Sequence, residues 1–177
     1  MRSQDFIGTG VAVITPFTPS GDVDHKALTG IVKHLINGGI NYMIALGTTG
    51  ETPTLSKKEK LEVLDTIFAA NNGALPIAIG AGGNNTPDVI NWIKELEAYN
   101  HQGLLSVAPY YSKPSQQGMI AHFDAIASST DKPIILYNVP GRTASNLSAD
   151  TTVTLAGMHS HICCIKEASG NMDQMMA

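Results

Sequence analysis

The stretch I-C-C-I-K-E-A-S-G, residues 162–170, sets a lysine where an apolar, strand-like run gives way to small and polar residues. A side chain at that point stands at a strand end, and Lys166 has two readings there. Its stem can lie along apolar surface while the ammonium stays in water. Alternatively the amine stands at the mouth of a pocket, where desolvation frees its neutral form to attack a carbonyl carbon and make a Schiff base. The choice depends on which other groups reach the same place.

The elements that must position Lys166 recur regularly. Apolar runs at 10–17, 40–46, 76–81, 103–108, 133–137 and from Ile162 onward predict buried strands. Between them lie amphipathic helical segments. Asp24 precedes Leu28, Ile31, Val32, Leu35 and Ile36 at helical spacing, and Gly38 and Gly39 end that helix. Ser56 and Glu59 form a capping box for a helix through Asn71, with Leu61, Leu64, Ile67 and Phe68 expected to face inward. Thr86 is the expected cap and Pro87 the start of the next, which buries Val89, Ile93 and Leu96. Further helices are expected through Met119, Phe123 and Ile126, and from about Ser148 to Ala156.

Strands that are apolar throughout, at intervals of roughly thirty residues, predict a parallel sheet covered by helices. A doubly wound sheet and a (β/α)8 TIM barrel both satisfy that pattern. The uniform unit length, and the lack of a G-x-G-x-x-G fingerprint after any strand, favour the barrel. A barrel needs ~250 residues, and the 177 here supply about six βα units. The expectation is therefore a single, incomplete TIM-barrel catalytic domain over residues 1–177.

Composition narrows the function classes. With 43% hydrophobic residues and a formal net charge of -4, the chain reads as soluble and core-forming. Scattered lysines make no basic stripe, which argues against nucleic acid as partner. No segment approaches the ~20 consecutive apolar residues of a membrane helix. The first nine residues lack a signal-peptide pattern, so the cytoplasm is the expected compartment. Cys163 and Cys164 are adjacent in one strand-like run. Strict alternation would point them to opposite faces, as small buried hydrophobes rather than a disulfide framework or metal site.

In either parallel architecture ligands gather at the C-terminal ends of the strands. That rule collects Thr48, Thr49, Tyr110, Tyr111, Tyr137, Arg142 and Lys166. Singly, a tight G-T-T-G turn, a core tyrosine and a surface arginine each have a structural explanation. Jointly they meet the needs of amine catalysis on an α-keto acid. The lysine makes an imine that acts as electron sink, and tyrosine and threonine hydroxyls move protons. Backbone N–H groups of the Gly-Thr-Thr-Gly turn hold one carboxylate and the arginine fork holds another. No metal cluster or nucleotide loop stands at these strand ends.

Four motifs carry a specific resemblance: G-T-T-G-E at 47–51, P-Y-Y-S-K-P at 109–114, Y-N-V-P-G-R-T at 137–143 and I-K-E-A-S-G at 165–170. The chain resembles the 4-hydroxy-tetrahydrodipicolinate (dihydrodipicolinate) synthase family of class I Schiff-base aldolases. The likeness runs throughout, including G-V-A-V-I-T-P-F at 10–17 and G-G-N-N-T at 82–86. It implies a cytoplasmic lyase of the diaminopimelate and lysine pathway that condenses pyruvate with L-aspartate-4-semialdehyde. It implies no cofactor beyond a covalent pyruvate imine on Lys166. By matching positions Tyr137 is the proton donor and acceptor, linked through Thr49 to Tyr111, which a neighbouring subunit supplies. Thr48 and Thr49 bind the pyruvate carboxylate and Arg142 that of the aldehyde. The assembly implied is at least a homodimer and commonly a homotetramer. N-acetylneuraminate lyase and the keto-deoxy sugar acid aldolases, the alternative activities, share the lysine and the tyrosine but lack the arginine in this setting.

Two departures accompany the likeness. The family's last strands and C-terminal helical segment have no counterpart in these residues, so a truncated, non-catalytic fragment is the rival from another class; the expected catalytic residues within the matched region are all present. Feedback-sensitive members bind lysine near positions matching Asn84, Asp88 and Tyr110, with a histidine or glutamate often facing the ligand from the helix after the second strand. Here Lys57 and Lys60 occupy the corresponding positions, and a fixed ammonium repels the ligand's own. Weak or absent inhibition by lysine is predicted; initial rates titrated with lysine check it, and strong inhibition at sub-millimolar concentration would contradict it.

Overall fold

A computed structural model of the protein describes residues 3–177, which fall into two compact units, one spanning Gln4–Gly80 and one containing Ala81–Ala177. In the first, β1 (Gly10–Ala12), β2 (Tyr42–Ala45) and β3 (Ile77–Gly80) pair in parallel in that order. Helices α1 (His25–Asn37) and α2 (Lys57–Asn71) form the crossovers. The Asp24 carboxylate accepts from the Ala27 N–H at 2.8 Å, which starts α1 where the sequence places its cap. Leu28 and Val32 are completely buried on its inner face. The capping box of α2 is formed, with the Ser56 N–H donating to Glu59 at 2.7 Å.

Some expectations give way to competing contacts. Leu61 and Phe68 are only half-buried, and Val63 joins Leu64 and Ile67 in the core instead. The run 10–17 pairs only over Gly10–Ala12; the Val13 N–H still donates to the Ile44 carbonyl, but Pro16 has no N–H to extend a ladder and Phe17 bridges antiparallel to Val23.

In the second unit β4 (Gly103–Val107), β5 (Ile134–Asn138) and β6 (Ile162–Glu167) are again parallel. Helices α3 (Thr86–Leu96) and α4 (Gln116–Ala127) precede β5, and the short α5 (Pro140–Thr143) follows it. Then come α6 (Ala149–Met158), capped by Ser148, and α7 (Met172–Met176). Thr86 is not the α3 cap. Asn85 holds that position without a side-chain bond, and the Thr86 hydroxyl instead bonds His122 Nδ1 on α4 at 2.8 Å.

The cysteines depart from strict alternation. Ile134 pairs with Ile162 and Ile135 with Cys164, so Cys163 is the extra residue of a β-bulge. Both thiols are half-buried rather than in the core. No helix among the described residues is long and apolar enough to cross a membrane.

The C-terminal ends of β5 and β6 are tied by side chains. Asn138, completely buried, donates to Glu167 at 2.9 Å and to Asn146 at 2.9 Å, and its carbonyl oxygen accepts from the Leu147 N–H at 2.9 Å. Gln174 closes the network, donating to Glu167 at 2.9 Å and accepting from Asn146 at 2.8 Å.

Replacing Asn138 by Ala leaves a backbone N–H without its acceptor and a carboxylate without a donor, and is expected to lower stability by ~2–3 kcal/mol in urea unfolding. A second expectation concerns acid. Burial drives the His122 imidazole down to about 4 from its ordinary value of 6.5. An unfolded chain takes up the proton first, so the stability held above pH ~6.5 is lost as pH falls towards 4. Urea midpoints across that range should fall less steeply for His122→Phe than for the unaltered chain; equal slopes would assign the acid sensitivity to other groups.

Candidate active site

Lys166 is the penultimate residue of β6 and pairs in register with Tyr137 on β5. Paired residues in a parallel ladder face the same way, so the two side chains meet. Lys166 Nζ lies 4.4 Å from the centroid of the Tyr137 ring, within cation–π range. Tyr137 is 5% exposed and Lys166 half-buried, so the aromatic face walls one side of the amine. Among the described residues the Tyr137 hydroxyl makes no hydrogen bond, which leaves it able to donate to or accept from a substrate.

The next register pair, Asn138 and Glu167, points to the opposite face. Partial burial pushes the Glu167 carboxyl up, but hydrogen bonds from Asn138, Ser169 and Gln174 outweigh it and hold the group below the usual carboxylate range. An ionised Glu167 thus accepts from both sides of the loop after β6, including the Ser169 N–H at 2.8 Å. Sequence reasoning assigned no role to Asn138, Glu167, Asn146 or Gln174. The signal available was adjacency: each of the first two directly follows a candidate reactive residue.

Arg142 stands on α5 rather than in an irregular loop, and it is exposed. Its turn is pinned by Thr143, whose hydroxyl donates to the Ser145 carbonyl at 2.8 Å, with Ala144 left-handed at φ 54°. Tyr111 follows β4 with 89% of its surface exposed and φ 72°, and Tyr110 is 39% exposed. Neither Arg142 nor Tyr111 touches the Lys166–Tyr137 pair through any hydrogen bond or ring contact.

In the Gln4–Gly80 unit, Thr48 and Thr49 open a 3-10 turn over Thr48–Gly50, and both side chains are exposed. The first N–H groups of a helical turn have no partner within it. The turn is clamped from beneath. Thr15 donates to the Gly50 carbonyl at 2.7 Å and Thr52 to the Leu46 carbonyl at 2.6 Å. Gly80 lies so close to that Leu46 carbonyl that a Cβ would collide with it. Among the described residues, no three His, Cys, Asp or Glu side chains are grouped to hold a metal ion.

The chain is similar in sequence and fold to known proteins. A 4-hydroxy-tetrahydrodipicolinate synthase of Flavobacterium psychrophilum is 49% identical over 173 residues, covering 98% of this chain and 59% of its own length. A dihydrodipicolinate synthase of Acinetobacter baumannii, solved in complex with pyruvate and described as chloride-inhibited, superposes with a TM-score of 0.91 at 42% identity, over 94% of this chain and 57% of that one. A structure described as the first monomeric dihydrodipicolinate synthase variant gives 0.93 at 36% identity, over 97% and 57%. The chain thus spans somewhat over half the length of these relatives, and its fold class is their α/β, (β/α)8 barrel, of which it supplies six βα units. The profile of the Dihydrodipicolinate synthetase family matches residues 5–177, across every motif described above, and the chain belongs to that family.

Proposed function

We propose that this chain carries the pyruvate-activating half of a 4-hydroxy-tetrahydrodipicolinate synthase, and that residues 1–177 belong to a single catalytic barrel domain. The observation that carries the reading is the register-paired contact of Lys166 Nζ with the Tyr137 ring at 4.4 Å. The neutral Lys166 amine attacks the keto carbon of pyruvate, and loss of water gives the imine. The imine draws electrons from the neighbouring methyl group, which loses a proton and becomes the carbon nucleophile. That carbon attacks the aldehyde of L-aspartate-4-semialdehyde.

The other candidates take complementary roles. The Tyr137 hydroxyl, lacking a protein partner, donates and accepts the protons, with Thr49 and Tyr111 as relay. Thr48 and Thr49 hold the pyruvate carboxylate through the open end of their 3-10 turn, as expected for anions at such N–H groups. Arg142, exposed on a rigid turn, receives the second substrate's carboxylate with its planar fork. The only cofactor is the covalent pyruvate itself, and the reaction belongs to lysine and diaminopimelate biosynthesis in the cytoplasm. Tyr111 supports a homo-oligomer, a dimer or a homotetramer. An aromatic residue 89% exposed at a left-handed φ projects from its own protomer rather than into it. The monomeric relative makes solution mass the test of that assembly.

Borohydride reduction with pyruvate, followed by peptide mapping, tests the central claim. A pyruvyl adduct is expected on Lys166 alone and absent in Lys166→Arg; folded protein that takes no adduct would remove the catalytic reading. Tyr137→Phe should keep the trapped adduct but slow condensation by ~10²–10⁴. Aspartate semialdehyde should outcompete sugar aldehydes as acceptor. A preference for N-acetylmannosamine would move the assignment to a lyase of the neuraminate type.

A further inference from the structure

The chain's only two cysteines, Cys163 and Cys164, are consecutive residues at the bulge on β6, and their thiols lie close enough to interact. In a regular strand Ile162 and Cys164 would share a face. Here Ile162 pairs with Ile134 and Cys164 with Ile135, so Cys164 keeps the face of Tyr137 and Lys166 while the extra residue puts Ile162 on the opposite one. Cys163 is turned sideways, its thiol reaching the Ile134 carbonyl at 3.7 Å. It also lines a cavity of about 310 Å³ with His101, Gln102, Asp131, Lys132 and His161. Burial, and then the neighbouring Cys164 thiol, push the Cys163 thiol up to about 12.

We infer that Cys163 and Cys164 form a vicinal-dithiol site that captures trivalent organic arsenicals, R–As=O, as a cyclic dithioarsenite. Two S–As bonds form, the As=O bond breaks, and both thiol protons leave with the oxygen as one water; no electrons are exchanged. A direct disulfide fits poorly. Adjacent Cα atoms lie about 3.8 Å apart across a trans peptide, short of the ~4.4–6.8 Å that disulfides span. An arsenic atom lengthens the bridge and relieves that constraint. Monofunctional alkylators need thiolate, which Cys163 does not offer near neutral pH. A chelating arsenical needs only one thiol to react first, after which the second is held at high effective concentration beside it.

The cyclic adduct would lock the bulge two residues before Lys166 and disturb the register that sets its amine over Tyr137. That consequence rests on the proposed Schiff-base chemistry; the capture itself does not. The test is phenylarsine oxide added to the reduced, folded chain, read by intact mass and by free-thiol count. One adduct with loss of water is expected, with free thiols falling from two to none. It should survive excess glutathione and be released by 2,3-dimercaptopropanol. Cys163→Ser and Cys164→Ser, each checked for folding by circular dichroism, should yield only adducts that glutathione strips. Capture by urea-unfolded but not folded protein, loss of the wild-type adduct to glutathione, or single-cysteine variants that hold the arsenical as well as wild type would each overturn the site. In parallel, pyruvate labelling of Lys166 should drop at least tenfold on arsenical treatment. A chain never labelled by pyruvate refutes the Schiff-base reading while the thiol readouts still decide the dithiol.

Discussion

The parallel pairing of β5 with β6 is the constraint on which the candidate site depends. An amine and a phenol on flexible side chains find each other only if their backbones are fixed to a fraction of an ångström, and a parallel ladder does this through evenly spaced hydrogen bonds. Its register matches Tyr137 to Lys166 and Asn138 to Glu167 in consecutive steps. Because side chains alternate, consecutive steps face opposite ways. The candidate pair Lys166 and Tyr137 lies on one face, while the Asn138 amide and the Glu167 carboxylate lock the strand ends from the other.

The electrostatics of the two faces differ accordingly. Glu167 is surrounded by donors, so its charge is satisfied locally and adds little to the field at Lys166. Lys166 has no carboxylate within salt-bridge distance among the described residues, and its nearest partner is the face of an aromatic ring. A ring attracts an ammonium more weakly than a carboxylate does, because its field is that of a quadrupole rather than a net charge. A lysine held this way is positioned without being committed to an ion pair, as a nucleophile must be.

Much of this was legible in the sequence because local rules and tertiary packing agree. Asp24, Ser56 and Ser148 cap the helices they precede, and each apolar run contains the strand predicted from it. Lys166 at the end of its run pointed to the candidate site only together with the other residues expected at the strand ends. What the sequence concealed was decided by partners distant along the chain. Thr86 has a good N-cap side chain, yet its hydroxyl is taken by His122 on another helix, 36 positions away. The bulge at Cys163 could not be read from I-C-C-I, since alternation gives no sign of where a ladder will skip a residue. The Asn138–Glu167–Gln174 network was equally hidden, because it joins polar residues that each look like ordinary surface or loop positions.

The distribution of backbone strain joins these points. Among the described residues six non-glycine residues have positive φ, and one of them, Asn72, is a helix C-cap, where asparagine is at ease. The other five, Leu46, Glu51, Tyr111, Lys113 and Ala144, all lie in segments that follow β2, β4 or β5. These are the segments that carry the Gly-Thr-Thr-Gly turn, the tyrosine pair and the arginine turn. Left-handed backbone at such side chains costs of order 1 kcal/mol or more each, and persists only where surrounding contacts over-determine it. Those contacts are visible: Thr52 grips the Leu46 carbonyl, and Thr143 grips both its own turn and the Ser145 N–H. Strain gathered at the C-terminal ends of strands, and opposed there by threonine hydroxyls, is what is expected if these turns are shaped to hold side chains in place for a ligand rather than to join strand to helix by the easiest path.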